Sequence, residues 1–306
     1  SEIILRSREF CNLSECVVRR EDTSESLKEK VRIATILGTF QSTLTEYKYL
    51  SREWKRNCDE ERLLGVSLTG IMDNPLTNGS KKGLDKLLEE LRDIAYETNK
   101  EWADKLGIPV SAAITCVKPS GTVSQLVDSA SGIHARHNPY YIRTVRADNK
   151  DPLCKLMKNM GFPNEVDITK PEHTTVFSFP QKSPKGATCR NDMTALEQLE
   201  LWKVYAESWC EHKPSVTISV KEDEWVEVAA WVYDHFDSIS GISFLPFSEH
   251  VYRQAPYQDC TEEEYKEALK TMPKNVDWAE LSKYESQDYT IASQELACTA
   301  GGCEII

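Results

Sequence analysis

The chain opens SEIILRSREFCNLSECVV (residues 1–18). Glu2 is followed by Ile3, Ile4 and Leu5 and, after Arg6-Ser7-Arg8, by Phe10-Cys11-Asn12-Leu13. β-Branched and aromatic residues suit a pleated, half-buried surface, and no Gly or Pro interrupts them. The stretch therefore reads as one strand running out of a loop. Chain termini are ordinarily polar and frayed, yet here strand-like sequence begins at the second residue. The simplest reading of Cys11 is a buried core thiol, and that of Glu2 a solvated surface charge. Each has a second reading that depends on the rest of the chain.

Working outward, Arg19–Ser24 is a polar turn with Ser24 as the expected N-cap. Leu27, Val31, Ala34, Ile36, Leu37 and Phe40 then recur at helical spacing and predict an amphipathic helix over Ser26–Tyr49. The apolar run Leu63–Gly70, bounded by glycine, predicts a buried strand, and Asp73–Asn78 a turn. A second long helix is expected over Lys81–Lys105, with Leu84, Leu87, Leu88, Leu91, Ile94 and Ala95 on one face. Further strands are expected at Ala112–Val117, Tyr140–Arg146, Thr174–Phe179, Ser215–Val220 and Gly241–Pro246. Helices are expected at Leu153–Met160, Ala195–Cys210, Glu222–Phe236 and Thr261–Leu269. Strand and helix alternate from end to end without an internal repeat, which predicts an α/β fold with parallel pairing within its sheets.

Composition narrows the function classes. The 306 residues allow a substantial core, and 40% hydrophobic with 28% charged residues describes a soluble globular protein. No apolar run approaches the ~18 residues of a membrane span, and there is no signal or lipidation pattern. A net charge of −12 argues against non-specific nucleic-acid binding; nucleotide substrates need only a few local donors. Ten cysteines at irregular spacing in a chain of this length fit reduced thiols in an intracellular, cytoplasmic setting better than a secreted disulfide framework.

Three motifs carry possible chemistry. The C-terminal stretch ends Cys298-Thr-Ala-Gly-Gly-Cys303. Glycines pack poorly, and a short loop closes cheaply, so this pair reads as a mobile dithiol able to attack a disulfide elsewhere. Plain tail thiols or a zinc half-site are the other readings, but no second Cys/His pair has matching spacing for zinc, and no metal is expected. Pro119-Ser120-Gly121-Thr122-Val123-Ser124 runs from a strand into a small-residue loop and then towards a helix start at Gln125–Val127. It could be a simple N-cap or an anion site built of backbone N–H groups and hydroxyls; it lacks Walker spacing, because Lys118 precedes it. Gly132-Ile133-His134-Ala135-Arg136-His137 could be a metal site, a phosphate contact or an ordinary polar loop.

Taken together, Glu2, the Phe-Cys-Asn-Leu at 10–13, the Gly-Val-Ser-Leu-Thr-Gly at 65–70, Pro-Ser-Gly-Thr at 119–122, Gly-Ile-His at 132–134 and the terminal cysteine pair resemble the adenosylcobalamin-dependent, monomeric (class II) ribonucleoside-triphosphate reductases. The resemblance covers essentially the whole chain. It implies the C-terminal portion of such an enzyme, beginning just after an Asn-Pro-Cys triplet that holds the radical cysteine. It implies the second half of a ten-stranded α/β barrel, with strands near Cys11, Val66, Ile114, Val216 and Phe244. Residues 1–286 would form the catalytic half-barrel, and 287–306 a flexible redox-shuttle tail.

The roles follow from the same resemblance. Adenosylcobalamin would initiate thiyl-radical chemistry on a ribonucleoside triphosphate. Glu2 would act as general base on the 3′ hydroxyl, and Cys11 as half of the cysteine pair that supplies two electrons as water leaves the 2′ position. Ser120, Gly121, Thr122, Val123 and Ser124 would hold the substrate phosphates. Cys298 and Cys303 would relay electrons from thioredoxin, and His134, Arg136 and His137 would lie towards the cofactor. An N-terminal reductase segment, protein splicing at Ser1 or a longer parent chain would complete the enzyme. The competing readings are a diphosphate-specific or iron-dependent reductase, and an inactive or regulatory module that keeps the fold.

Overall fold

The computed structural model describes residues 2–247 and 252–285. In chain order the elements are β1 (Asn12–Val17), α1 (Ser24–Gln41), α2 (Arg52–Glu61), β2 (Leu64–Thr69), α3 (Leu84–Leu106), β3 (Thr115–Cys116), α4 (Gly121–Leu126), β4 (Tyr140–Asp148), α5 (Pro152–Asn159), β5 (Asn164–Val166), β6 (Thr174–Lys182), α6 (Ala195–Ser208), β7 (Val216–Val220), α7 (Trp225–Asp234), β8 (Ile242–Pro246), β9 (Tyr257–Asp259) and α8 (Glu262–Thr271). They divide into two units, one of residues 1–136 and 186–247, the other of 137–185 and the C-terminal part from 248.

The first unit holds the five expected strands, and all of them pair in parallel. β1, β2 and β3 form one sheet and β7 and β8 another. A parallel bridge between Val117 and Pro214 joins β3 to the start of β7. β2 is buried at every position, as the middle strand of a parallel sheet is. One face of the sheet is apolar: Cys16, Val18, Val66 and Leu68 pack with Leu27, Val31 and Ala34 of α1, Leu88 and Leu91 of α3, and Trp202 of α6. Each buried Val or Leu among them contributes about 1.5–3 kcal/mol on leaving water. Trp202 and Trp209 donate their indole N–H groups to the carbonyls of Pro214 and Cys116, so their burial leaves no donor stranded.

Two expectations need correction here. Residues 2–11 are not strand: regular pairing starts only at Asn12. Three of their backbone bonds go to α2 side chains instead. Asn57 donates to the carbonyls of Ser7 (2.9 Å) and Arg8 (3.2 Å), and the Phe10 amide donates to Cys58 Sγ (3.4 Å). Arg8 also adopts a left-handed backbone (φ 60°), which no strand accommodates. The first helix likewise begins earlier and ends sooner than its spacing predicts. Thr23, not Ser24, is the N-cap, in a reciprocal box with Ser26. The helix ends at Gln41, where Ser42 and Thr43 turn their hydroxyls onto the carbonyls of Thr39 and Phe40. Leu37 and Phe40 are exposed; the buried stripe is Leu27, Val31, Ala34, Thr35 and Gly38.

The second unit departs from the expected parallel pairing. Its sheet runs β5-β6-β4-β9, and every pairing in it is antiparallel. The short 167–173 connection between β5 and β6 cannot make the crossover that a parallel pair needs. Its core is small: Cys154, Met157, Phe162 and Phe177, with Phe179 and Met272 against them.

Candidate active site

The other face of the first unit's sheet is polar. Register sets Leu13, Glu15 and Val17 opposite Gly65, Ser67 and Thr69, with Cys116 beyond Ser67, and Cys11, one residue before the pairing begins, lies against Gly65 on the same face. Ser67 Oγ accepts from the Lys118 amide (2.9 Å), and Thr69 Oγ1 accepts from the Gly132 amide (2.9 Å) while donating to the Ala130 carbonyl (3.0 Å). The sheet's hydroxyls thus anchor the loops that carry the sequence motifs.

Glu2 is not a solvated terminal charge. Its side chain is only 14% exposed and pairs with Lys118 Nζ at 3.2 Å, and its carbonyl accepts from the Lys213 amide at 3.0 Å. Cys11 packs against Gly65, where a Cβ would stand 3.2 Å from its sulfur and 2.4 Å from Leu13. Burial pushes the Cys11 thiol up to about 12; the Glu2 and Glu9 carboxylates push the same way, and Lys118 pulls it back. Burial also raises the pKa of Glu15, with the Ser120 hydroxyl and Lys118 opposing. The result is a protonated thiol and a carboxylate on one edge of a polar sheet face, with one lysine acting on both.

The Ser120–Ser124 motif follows β3 directly. The helix starts at Gly121, inside the motif and not after it. Ser120 takes a left-handed backbone (φ 52°) and is buried. Ser124 is buried too, with its hydroxyl shared with Ser131 (2.7 Å) and turned to the Gly121 carbonyl (3.1 Å). Thr122 and Val123 are exposed, and Gly121 partly so. Two of the five side chains therefore face the fold, leaving Thr122 and the backbone of the first turn as the outward part. Gly132 is what allows this packing: with φ 54°, a Cβ there would lie 2.3 Å from the Lys118 carbonyl oxygen.

His134, Arg136 and His137 are engaged within the protein. His134 Nε2 accepts from the Thr217 amide (2.9 Å) and Nδ1 lies 2.9 Å from the Ser131 carbonyl, while burial lowers its pKa, so the ring is neutral with Nδ1 the donor. Arg136, 4% exposed, forks onto Asp73 through Nε (2.9 Å) and Nη2 (2.8 Å) and reaches Asp128 as well. His137 belongs to the second unit, where it pairs with Asp259 (2.7 Å) and stacks on Tyr257. All three side chains thus already have partners within the protein. Cys298 and Cys303 lie outside the described residues. Among the described residues no group of three His, Cys, Asp or Glu has metal-ligating geometry, and no helix is long and apolar enough to cross a membrane.

Lys118, Glu15 and Asn57 were not singled out by motif reading. Lys118 meets Glu2 across 116 residues, so only the fold brings them together. A surface groove of about 750 Å³ lies elsewhere, lined by Glu46, Tyr47, Lys55, Asp59 and Pro109 among others. It holds none of the motif residues, and Lys55 in it is already paired with Glu46 and Asp59.

No family model matches the chain. The adenosylcobalamin-dependent ribonucleoside-triphosphate reductase of Euglena gracilis is 29% identical over 274 residues, covering 89% of this chain and 37% of that protein. The protein of that name from Lactobacillus gasseri is 26% identical, covering 99% of this chain and 44% of its own length. A probable one from Dictyostelium discoideum is 27% identical over 100% of this chain and 39% of its own. Among solved structures, a B12-dependent (class II) ribonucleotide reductase superposes with a TM-score of 0.77 at 24% identity, covering 93% of this chain and 43% of that one. The chain spans less than half the length of these relatives. By sequence it is a homologue of the adenosylcobalamin-dependent ribonucleoside-triphosphate reductases, and by fold it matches part of a class II ribonucleotide reductase.

Proposed function

We propose that this chain forms the part of a ribonucleoside-triphosphate reductase that supplies its general base, one electron-donating thiol and its phosphate loop. The observation that carries this reading is the pairing of Glu2 with Lys118 beside Cys11, where the polar sheet face meets the Ser120–Ser124 loop. Glu2 takes the proton of the substrate's 3′ hydroxyl. Cys11 gives up one proton and one electron, and a second thiol gives the other pair. The two sulfurs end as a disulfide, and the 2′ hydroxyl leaves as water. A thiol held protonated at neutral pH suits a group that must deliver hydrogen along with its electron. Thr122, Gly121 and Val123, with Ser120 and Ser124 shaping the turn behind them, hold the phosphates.

The cofactor is adenosylcobalamin, the one named for the relatives; when bound it supplies the radical that starts the reaction. Cys298 and Cys303 return the disulfide to thiols with electrons from thioredoxin. The five parallel strands form one half of the reductase barrel, and an N-terminal reductase segment supplies the other half together with the second thiol. Exposed Ile4 (57%), Leu5 (49%) and Phe10 (41%) next to the site supply apolar surface for that segment. The test is turnover of a complex of this chain with that segment, adenosylcobalamin and a ribonucleoside triphosphate. The proposal expects deoxyribonucleoside triphosphate with either thioredoxin or a small dithiol as reductant, and Cys298→Ser to abolish only the thioredoxin-supported reaction. Full thioredoxin-supported turnover by Cys298→Ser would remove the shuttle assignment.

A further inference from the structure

We propose that Lys118 is the positioning residue of this site: its ammonium fixes the Glu2 carboxylate beside Cys11, and its backbone ties that pair to the Ser120–Ser124 loop. This rests on the reading of Glu2 and Cys11 given above.

Lys118 is held from three sides. Its amide donates to Ser67 Oγ on β2 at 2.9 Å. Its carbonyl oxygen lies where only a glycine, Gly132, leaves room. Its Nζ meets Glu2 Oε1 at 3.2 Å. The Glu2 main chain is fixed independently, by the Lys213 amide. A lysine on a backbone with so little freedom sets where the carboxylate sits, and an ion pair at 14% and 36% side-chain exposure is only partly screened by water. Lys118 is also the first residue before Pro119 and the phosphate loop, so a shift of that loop moves its ammonium directly.

The charges around Cys11 are unbalanced. Glu2 and Glu9 come from its own segment, and Lys118 is the one cation among the described residues that acts on the sulfur. Lys118 also acts on Glu15 of β1 and on Cys116 of β3. Glu9 has its own counter-charge in Arg6 (3.7 Å), so removing Lys118 leaves Glu2 as the carboxylate near the thiol that has lost its cation. Restoring a cation of similar reach, as in Lys118→Arg, keeps the balance.

The test is site-resolved alkylation of Cys11 in the intact chain with iodoacetamide between pH 8.5 and 10, read by mass spectrometry, with buried Cys16 of the same unit as a monitor of unfolding. It needs no turnover, so its failure leaves the reductase reading to the turnover test. At a fixed pH, Lys118→Met is expected to slow Cys11 modification about threefold or more, equivalent to half a pKa unit or more. Lys118→Arg should stay near the wild-type rate, and Glu2→Gln should speed modification. A lysine that merely packs the loop gives the opposite sign, because loosening exposes the sulfur and speeds alkylation. Should Lys118→Met expose Cys16 as well, the milder Lys118→Gln decides, with the same slowing expected. Unchanged or faster modification in a folded Lys118→Met, or no acceleration in Glu2→Gln, overturns the proposal.

Discussion

At the residue scale, a few side chains hold residues 2–11 in place. Asn57 is 5% exposed and spends its amide on two carbonyls of that segment. Phe10 stacks on Trp54 (4.5 Å) and lies edge-on to Tyr47 (5.1 Å), one residue before Cys11. Asn57→Ala should therefore cost about 1–3 kcal/mol through carbonyls left without their donor, read as a lower urea midpoint, and should raise the alkylation rate of Cys11. An unchanged midpoint and rate would mean that the segment is held by other contacts. Glu2 and Cys11 were legible in the sequence because their offset from one another is local and their neighbours are distinctive. Asn57 and Lys118 were not, since nothing in the spacing of a lone Asn or Lys records a partner some 50 or 116 residues away.

At the scale of elements, periodicity served well where one period governed a whole segment. β2, α3 and α6 sit within a few residues of their expected bounds, because a fully buried strand and two amphipathic helices each obey a single rule. It failed where side chains bid for the backbone. Ser42 and Thr43 end α1 early, and Asn57 and Cys58 draw residues 7–10 out of β pairing. The antiparallel sheet of the second unit was missed for another reason: alternation of strand and helix says nothing of direction when the connection is short. The contact between the two motif loops is also an element-scale feature, and it runs through Gly132. Gly132→Ala brings a Cβ within 2.3 Å of the Lys118 oxygen at a backbone angle that favours glycine. It should destabilise the chain by about 1–3 kcal/mol, seen as a lowered thermal midpoint with Cys11 alkylation altered in step. A neutral effect would place the loop contact elsewhere.

At the scale of the molecule, the thiols set a limit on alkaline stability. Burial pushes Cys11 and Cys16 up to about 12, and Cys116 and Cys210 upward as well. In the unfolded chain these thiols ionise near pH 9, while in the folded protein they stay protonated. The unfolded state thus binds fewer protons above that point, so stability is unaffected at lower pH and falls as pH rises from about 9 towards 12. A fully buried thiol such as Cys16 should cost about 1 kcal/mol by pH 10. The urea midpoint should accordingly fall between pH 8 and pH 10, and Cys16→Ala should lessen the fall; a flat profile would contradict the burial of these groups. The same protonated state suits Cys11 as a donor of hydrogen and electron together.

The most direct measurement of the central claim is deoxyribonucleotide formation by the complex of this chain with the rest of a reductase, compared among wild type, Glu2→Gln and Cys11→Ser. Product is expected from wild type, a loss of about a hundredfold or more in Glu2→Gln, the scale of a general base removed from its reaction, and no repeated turnover in Cys11→Ser, which lacks a thiol to supply hydrogen and electron. The two chains should still associate in every case. Turnover that survives both substitutions would contradict the assignment of base and thiol to Glu2 and Cys11.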